Sequence, residues 1–220
     1  MKVALFFGSF NPVHVGHMII ASYVVQHTDV DQLWMIVSPH NPHKVKASLA
    51  KDHDRLHLVR LAIGDHDKLR ASNIEFDLPK PSYTIETLTY LKEKHPNYNF
   101  NLIMGGDNLN SFHKWKNYEQ IIANHHIYVY QRSSYDLGPL QHHPHVKILD
   151  SPLLQISASR IRTLIKEGKS DQEIKQFLSD RFGNQVLYNP GFSKDTYFLW
   201  FAPGLFLILI LLIFFFRKRT

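Results

Sequence analysis

The amino-acid sequence predicts an α/β fold, in which a doubly wound parallel sheet carries helices on both faces. Two observations lead to this prediction. Short apolar runs alternate along the chain with segments whose apolar residues recur at helical spacing. Glycine, proline and asparagine cluster between these segments, where turns are expected. Because strands that alternate with helices pair in parallel under a cover of helices, this order predicts a sheet buried on both faces.

The opening of the chain sets the pattern of alternation. Residues 2–7, KVALFF, form an apolar run of strand length that stops at Gly8. Residues 17–28 then repeat apolar residues at helical spacing and predict the first helix. A second strand is predicted over residues 32–39, where it ends at a proline, and an amphipathic helix follows over residues 50–65.

The alternation continues towards the end of the predicted sheet. Residues 71–78 are expected to form a third strand, and residues 83–96 a helix that the proline at its end stops. The later elements are strands at 99–106, 126–132 and 146–152, with a helix at 116–125. After Thr163 the chain is predicted to run as one helix and a turn-rich linker.

Composition narrows the classes of protein without choosing one. The chain has 220 residues, is 44% hydrophobic and carries a net charge of +6, which suits a phosphate-rich ligand, nucleic acid or an anionic membrane surface. It contains no cysteine. Disulfides, a thiolate nucleophile and cysteine-ligated metals are therefore excluded.

The far end of the chain predicts a single transmembrane helix. Residues 198–216 contain no charged residue, and at 1.5 Å per residue such a run covers roughly the 30 Å of a bilayer core. Tyr197 and Trp200 lie at its start, and residues 217–219 are RKR, as expected at membrane interfaces. A buried core helix is the alternative, but a helix that is apolar all round is hard to cover in so small a protein.

Function is expected in the loops that follow the strands. In parallel sheets, ligands bind at the carboxyl ends of the strands, near the point where the strand order reverses. Four such loops contain conspicuous polar residues: GSFNPVHVGH (8–17), SPHNPHK (38–44), MGGDN (104–108) and SPLLQISASR (151–160).

The first loop is suited to a phosphate. Its glycines allow backbone amides to approach a ligand closely, and the helix that follows presents its positive N-terminal end there. His14 and His17 lie three residues apart at the start of that helix, so both can point into the same space and donate hydrogen bonds to charged oxygens. An isolated HxxH would more often be an ordinary cap with two surface histidines.

The last loop, ISASRIR at 156–162, is suited to the same task. Ser157 and Ser159 can cap a helix whose amide end faces phosphates, and Arg162 adds a guanidinium one turn in. Taken alone, this segment would be an ordinary helix cap.

Two further patterns do not indicate a site. The EGKS segment at 167–170 lacks the first glycine of a P-loop, since Thr163 stands there. The histidine-rich QHHPH at 141–145 matches no ligand spacing, so no protein-held metal is predicted.

GSFNPVHVGH resembles the HxGH signature of the nucleotidyltransferase superfamily, and most closely that of the nicotinate-nucleotide adenylyltransferase family. SPHNPHK, with His43 and Lys44, PSYTIETL, IMGGDNL and FHKWKNYEQI are similar to further motifs of that family, and ISASRIR is similar to its ISSTxIR motif. The family often has aspartate at position 11, where this chain has Asn11, and tryptophan at position 112, where Phe112 is expected still to offer a ring face for stacking. The resemblance covers about residues 1–165 and implies a Rossmann-like fold.

The resemblance also implies the reaction and its residues. Nicotinate mononucleotide would attack the α-phosphorus of ATP, which would enter with Mg²⁺, giving nicotinate adenine dinucleotide and pyrophosphate without a covalent enzyme intermediate. The implied catalytic residues are His14, His17, Lys44 and Arg162. The implied ATP-binding residues are Gly8, Ser9, Phe10, His17, Gly105, Asp107 (on the ribose), Ile156, Ser157, Ser159 and Arg162. The implied mononucleotide-binding residues are Asn11, Lys44, Tyr83, Thr84 and Trp115.

Residues 163–219 resemble the carboxyl end of a second family, the small membrane-anchored subunit of the cytochrome c maturation thiol reductase and haem lyase. That family's activity needs a Cys-x-x-Cys pair, which this chain lacks, so only the anchor is carried over. The predicted organisation is a nucleotidyltransferase domain at 1–165, a helix and linker at 166–196, a transmembrane helix at 197–216 and a basic tail at 217–220. The expected location is a bacterial inner membrane with the catalytic domain in the cytoplasm, although the basic tail argues for the opposite orientation.

Two alternatives stay open at this point. One is another HxGH transferase, acting on phosphopantetheine or forming a cytidylyl product, which SYTIETL and Trp115 disfavour. The other is a non-catalytic, membrane-tethered module of cytochrome c maturation. The expected partners are ATP, the mononucleotide and the membrane, with no nucleic acid and with a possible homo-oligomer.

Overall fold

The computed structural model describes residues 1–39, 49–131, 136–150, 158–182 and 201. Within these residues six strands form one parallel sheet. The strands are β1 (Lys2–Gly8), β2 (Gln32–Val37), β3 (Leu69–Ser72), β4 (Asn99–Gly105), β5 (Ile127–Tyr130) and β6 (Val146–Leu149).

Helices connect the strands, and further helices follow β6 along the chain. They are α1 (Val15–His27), α2 (Asp52–Ile63), α3 (Thr84–Lys94), α4 (Gly106–Ser111), α5 (Tyr118–Asn124), α6 (Ala158–Lys166) and α7 (Asp171–Phe182). Short 3₁₀ turns lie at Ile74–Phe76, Phe112–Lys114 and Pro139–His142. The short α4 and the turn after it were not predicted, because six polar and small residues carry too little periodicity to indicate a helix.

The strand order is β3-β2-β1-β4-β5-β6, so β1 lies at the centre and the order reverses between β1 and β4. The predicted doubly wound, Rossmann-like α/β sheet is thereby confirmed. Successive residues of β1 point to opposite faces: Ala4 and Phe6 belong to one buried cluster, Val3 and Leu5 to the other. Helices cover both clusters. β1 pairs in parallel with β4, so the carboxyl ends of these two strands lie side by side at the switch point.

The predicted strand at 71–78 is wrong in its extent. β3 ends at Ser72, and a 3₁₀ turn follows from Ile74 to Phe76. The reason is Glu75, whose carboxylate is buried and accepts a hydrogen bond from the Thr87 hydroxyl at 2.8 Å. The turn directs this carboxylate into the protein, and a buried carboxylate needs such partners.

The segment after Thr163 also differs from the prediction of one helix. α6 ends at Lys166, Gly168 adopts a left-handed φ of 75°, and α7 begins at Asp171. Ser170 and Glu173 form a capping box: the Ser170 amide donates to Glu173 at 2.8 Å and the Glu173 amide to Ser170 at 3.3 Å. Glycine in the left-handed region is a common helix end, and a capping box starts the next helix.

Contacts along the chain divide it into two compact units, Met1–Arg162 and Thr163–Thr220. Among the described residues, no helix is both long enough and apolar enough to cross a membrane. The predicted transmembrane segment at 197–216 lies outside the described residues except for Phe201, as does the basic tail at 217–220.

Candidate functional site

The loop after β1 is held in shape by its own aromatic ring. Phe10 has a left-handed φ of 43° and is 2% exposed. A Cβ on Gly8 would lie 2.8–3.0 Å from three carbons of the Phe10 ring. A side chain at position 8 would therefore force the Phe10 ring to move. The strained backbone of Phe10 costs of order 1–3 kcal/mol and is stabilised by the burial of its ring.

The two histidines of the loop lie side by side at the start of α1. His14 is the N-cap residue, and its backbone N–H donates to Nδ1 of His17 at 3.2 Å. The ring centroids are 3.8 Å apart, and both residues are half-buried. Because Nδ1 of His17 accepts a hydrogen bond, a neutral ring carries its proton on Nε2, which makes Nε2 a donor.

Aromatic packing fixes the position of His17. The Phe10 ring meets the His17 ring edge-to-face at 5.1 Å, and the Phe6 ring lies 6.0 Å from it. These contacts come from β1 and from the loop that follows it. The imidazole is thus positioned by the core of the sheet rather than by solvent-exposed neighbours.

Arg162 of α6 reaches this loop from the other end of the domain. Its Nη1 donates to the backbone oxygen of Asn11 at 2.7 Å, and its Nη2 donates to the Ser159 hydroxyl at 3.0 Å. Two of the five guanidinium N–H groups are used in this way. The structure therefore brings Arg162 and Ser159 to the same loop as His14 and His17.

The side chain of Asn11 has a structural role that was not predicted. Its Oδ1 accepts a hydrogen bond from the Ala50 backbone N–H at 3.1 Å, and the residue is 7% exposed. An aspartate could accept the same bond, which explains why either residue fits at this position.

The loop after β4 carries a buried carboxylate. Gly105 ends β4 and caps α4, whose first turn contains Asp107. Oδ1 of Asp107 is buried and has no hydrogen-bond partner among the described residues. A Cβ on Gly105 would lie 2.3 Å from this oxygen, so the glycine allows the carboxylate its position. A buried polar atom without a partner is costly, which makes Asp107 a candidate for a ligand contact.

Tyr83, Thr84 and Trp115 lie on neighbouring segments. Tyr83 occupies the N-cap position of α3, and Thr84 is the first residue of that helix. Nζ of Lys116, next to Trp115, lies 4.5 Å from the Tyr83 ring and 2.6 Å from Glu86 in the first turn of α3. This cation–π contact and ion pair join the two segments. Trp115 also lines a cavity of about 40 Å³ above β1 and β4.

The expectation that Phe112 offers a ring face to a ligand is wrong. Its side chain is 0% exposed and packs edge-to-face against Trp115, with ring centroids 5.2 Å apart. The ring also contacts Tyr118 at 6.0 Å. Phe112 therefore supports Trp115 from within the core.

Four predicted residues lie outside the described residues: His43, Lys44, Ile156 and Ser157. Two buried charged residues at the same edge of the sheet, Arg55 and Glu75, were not predicted. Arg55 stands in an amphipathic helix beside other charged residues, so nothing in the sequence separates it from a solvated surface arginine. Glu75 was assigned to a strand that ends before it.

The reversal of strand order, the histidine pair at the start of α1 and the carboxylate after β4 form a site that suits a Rossmann-like nucleotidyltransferase. A family model described as cytidylyltransferase-like matches residues 5–164, which is most of the chain.

Curated relatives narrow the class to one family. The chain is 52% identical over 176 residues to a probable nicotinate-nucleotide adenylyltransferase of Flavobacterium johnsoniae, covering 79% of this chain and 91% of the relative. It is 47% identical over 186 residues to one of Cytophaga hutchinsonii, covering 82% and 97%. The chain belongs to the nicotinate-nucleotide adenylyltransferase family, the nucleotidyltransferases that act in NAD biosynthesis.

Solved structures agree on the fold. A nicotinic acid mononucleotide adenylyltransferase of Plasmodium falciparum, complexed with NaAD, superposes with a TM-score of 0.68 at 20% identity, covering 86% of this chain and 98% of that one. A second family model, described as cytochrome C biogenesis protein, matches residues 150–220 and overlaps the end of the first match.

Proposed function

We propose that the carboxyl edge of the sheet transfers the adenylyl group of ATP to nicotinate mononucleotide, with the described side chains in distinct roles. The mononucleotide phosphate is already an anion, so it can attack the α-phosphorus directly. The protein then has to hold two polyanions in line and neutralise the charge that develops on the α-phosphate and on the departing pyrophosphate.

His14 and His17 are assigned to the α-phosphate. The observation that supports this best is the hydrogen bond from the His14 amide to Nδ1 of His17, which leaves Nε2 of His17 as a donor. The start of α1 lies at the same point, where backbone N–H groups favour anions. A donor positioned before the reaction stabilises the developing charge without reorganisation. Gly8, Ser9 and Phe10 form the backbone of the same wall.

Asp107 is assigned to the ATP ribose. Its buried Oδ1 can accept a hydrogen bond from a ribose hydroxyl, which would satisfy an atom that the described residues leave without a partner. Gly105 contributes by leaving space for the carboxylate.

Arg162 and Ser159 are assigned to the ATP phosphates, together with Lys44, Ile156 and Ser157 of the predicted set. The assignment of Arg162 is supported by its hydrogen bond to the backbone oxygen of Asn11, which holds the guanidinium beside the loop at residues 8–17. A guanidinium fork matches phosphate oxygens in geometry and charge.

Tyr83, Thr84 and Trp115 are assigned to the mononucleotide, with Asn11 shaping the loop beside it. The contacts of Lys116 with Tyr83 and Glu86 support a pocket built from the start of α3 and the Trp115 segment. Aromatic rings at such a place favour stacking on the pyridine ring.

Mg²⁺ would enter with the triphosphate of ATP. Among the described residues, no group of three His, Asp or Glu side chains could hold a metal ion. The ion prefers phosphate oxygens and water, and it would lower the charge that the protein has to neutralise. Removing divalent ions with EDTA should abolish turnover, and adding Mg²⁺ should restore it.

The activity can be tested with the full chain, purified in a mild detergent. It is incubated with ATP, Mg²⁺ and one of three acceptors: nicotinate mononucleotide, nicotinamide mononucleotide or phosphopantetheine. Pyrophosphate release and formation of the dinucleotide are measured. Release with nicotinate mononucleotide supports the proposal, whereas release only with phosphopantetheine, or with none of the three, contradicts it.

We further propose that residues 197–216 anchor the enzyme in a bacterial inner membrane with the catalytic domain in the cytoplasm. The support is the uncharged run at 198–216, the basic residues after it and the match of residues 150–220 to the cytochrome C biogenesis model. Fractionation tests it: the full chain should sediment with membranes and resist carbonate extraction, and a variant ending at residue 182 should not. Equal behaviour of the two chains contradicts the anchor.

A further inference from the structure

Arg55 of α2 is a charged side chain with no exposed surface. Arginine is almost never fully buried unless it is paired. Here the ion pair with Asp52 at 2.8 Å accounts for only one of its bonds. The other hydrogen bonds go to backbone carbonyl oxygens of three separate loops, at Ser9, Ser38 and Ala50.

The hydrogen bond to Ser9 holds the loop at residues 8–17, which we assign to the ATP phosphates. Nη1 of Arg55 donates to the Ser9 carbonyl oxygen. The peptide bond between Ser9 and Phe10 is trans, since the cis bonds of the described residues lie at Asn11-Pro12 and Lys80-Pro81. In a trans peptide the N–H points opposite to the C=O. Arg55 therefore holds the Phe10 N–H on the side of the loop that faces away from its own guanidinium.

The same guanidinium also holds the end of β2. Nη1 of Arg55 donates to the Ser38 carbonyl oxygen at 2.9 Å. Burial raises the pKa of Glu75, and the Ser38 hydroxyl lies close enough to its carboxylate to oppose that rise. Ser38 thus takes part in two contacts at once, one through its backbone and one through its side chain.

Glu75 connects the end of β2 to the start of α3. It is 2% exposed and accepts hydrogen bonds from the Thr87 hydroxyl at 2.8 Å and the Ser82 hydroxyl at 3.4 Å. Ser82 directly precedes Tyr83, and Thr87 lies in the first turn of α3. Glu75 therefore fixes the segment assigned to the mononucleotide.

We infer that Arg55 and Glu75 are positioning residues for the two halves of the adenylyl transfer. Arg55 sets the loop that faces the ATP phosphates, Glu75 sets the segment that receives the mononucleotide, and Ser38 joins them. This inference rests on the proposed function, because it uses the assignment of these two segments to the two nucleotides. Misplacing a reacting group by about 1 Å can cost about a hundredfold in rate, so such supports affect turnover.

The test compares four variants of the full chain by steady-state kinetics, each assayed well below its melting temperature. Arg55→Lys keeps the charge but cannot reach three carbonyls with a planar fork. It should lower kcat at least about tenfold and raise the KM for ATP about fivefold, with the KM for the mononucleotide within about twofold of wild type. Arg60→Lys is the matched control: it is the same substitution at an exposed arginine of α2, and it should stay within about twofold in all constants.

The other two variants test whether Glu75 positions the segment assigned to the mononucleotide. Glu75→Gln and Ser38→Ala should both raise the KM for the mononucleotide about fivefold and leave the KM for ATP within about twofold. Ser38→Ala removes only the side-chain contact, because its carbonyl still accepts from Arg55. The two variants should therefore resemble each other and differ from Arg55→Lys.

A purely structural role predicts another result. If Arg55→Lys, Glu75→Gln and Ser38→Ala lower the melting temperature but keep both KM values and kcat within twofold of Arg60→Lys, the inference is overturned. If Arg55→Lys does not fold, the double variant Asp52→Asn/Arg55→Gln, which buries no charge and keeps amide donors, replaces it with the same expectation for kcat and ATP. A wild-type chain that releases no pyrophosphate contradicts the proposed function instead.

Discussion

The two edges of the sheet treat charged side chains in opposite ways. At the amino edge, Asp29 is exposed, and both of its oxygens are used: Lys2 bonds one, and the Tyr128 hydroxyl donates to the other at 2.6 Å. At the carboxyl edge, Asp107 buries an oxygen for which no described residue provides a bond. The same residue type is fully satisfied at one edge and incompletely satisfied at the other.

This difference distinguishes the carboxylate that contributes to stability from the one that we propose to bind a ligand. An exposed, paired carboxylate contributes modestly to stability. A buried carboxylate oxygen without a partner lowers stability by of order 1–3 kcal/mol and persists where a ligand supplies the missing bond. Substitutions at the two edges should therefore differ in kind as well as in size.

The largest effect is expected at the carboxyl edge from His17→Ala. Loss of a positioned donor to a developing oxyanion costs about 100- to 1000-fold in kcat. The KM for ATP should change much less, since the contact strengthens in the transition state. His27→Ala, at the other end of the same helix and exposed, is the control and should keep kcat. Near-normal turnover of His17→Ala would show that its assignment is wrong.

Gly8→Ala should affect both folding and binding. The new Cβ would meet the buried Phe10 ring at 2.8–3.0 Å, so the loop has to shift. We expect a loss of about 1–3 kcal/mol in the free energy of unfolding and a higher KM for ATP. Urea titration and steady-state kinetics measure the two effects.

A second substitution checks the cause. Phe10→Leu in the Gly8→Ala background frees space, so the double variant should lose less stability than the sum of the two single losses. Additive losses would mean that the Phe10 ring does not restrict position 8.

Asp107→Asn gives the clearest contrast with the amino edge. It should raise the KM for ATP about tenfold, because a negatively charged acceptor for the ribose is lost. Thermal stability of the ligand-free chain should stay equal or rise, because the buried oxygen had no partner to lose. A clear drop in melting temperature without a change in KM would make Asp107 a structural residue.

Asp29→Asn should have the smallest effect, and only on stability. Hydrogen bonds from Lys2 and Tyr128 hold the pKa of Asp29 at about 2, below its usual 3.8. A lowered carboxylate pKa stabilises the folded state above the unfolded pKa, and the contribution disappears as pH falls towards the folded value. The advantage of wild type over Asp29→Asn should therefore shrink from about pH 3.8 to about pH 2.

Urea titrations along this pH range measure that advantage. Asp67→Asn, which changes an exposed carboxylate elsewhere, serves as the control. An advantage that is independent of pH would exclude Asp29 as its source, and turnover should be the same in all three chains.

The sequence predicts the parts of this molecule that depend on local pattern. Apolar periodicity locates the strands and helices, and the spacing of His14 and His17 predicts that both lie at one helix start. Local pattern cannot show which charged residues are buried, because burial depends on distant segments. Arg55 forms hydrogen bonds to a residue 46 positions earlier, and Arg162 to one 151 positions earlier.

The same limit explains the wrong predictions. Residues 71–78 have the apolar pattern of a strand. The neighbouring residues do not show that Glu75 accepts a hydrogen bond from the Thr87 hydroxyl on α3. Phe112 looks like a ligand-facing ring because its sequence motif does not show that Trp115 and Tyr118 cover it. Gly168 could have been recognised as a helix end, since glycine favours the left-handed backbone that separates α6 from α7.

The central place of β1 has a consequence for synthesis. β1 pairs with β2, which follows within about 30 residues, and with β4, which begins almost 100 residues later. The loop at its end is completed only when Arg162 binds the Asn11 carbonyl oxygen. Contacts between such distant segments form slowly, because the intervening chain has to be closed into a loop. The part of the proposed active site that leaves the ribosome first is therefore among the last to be completed.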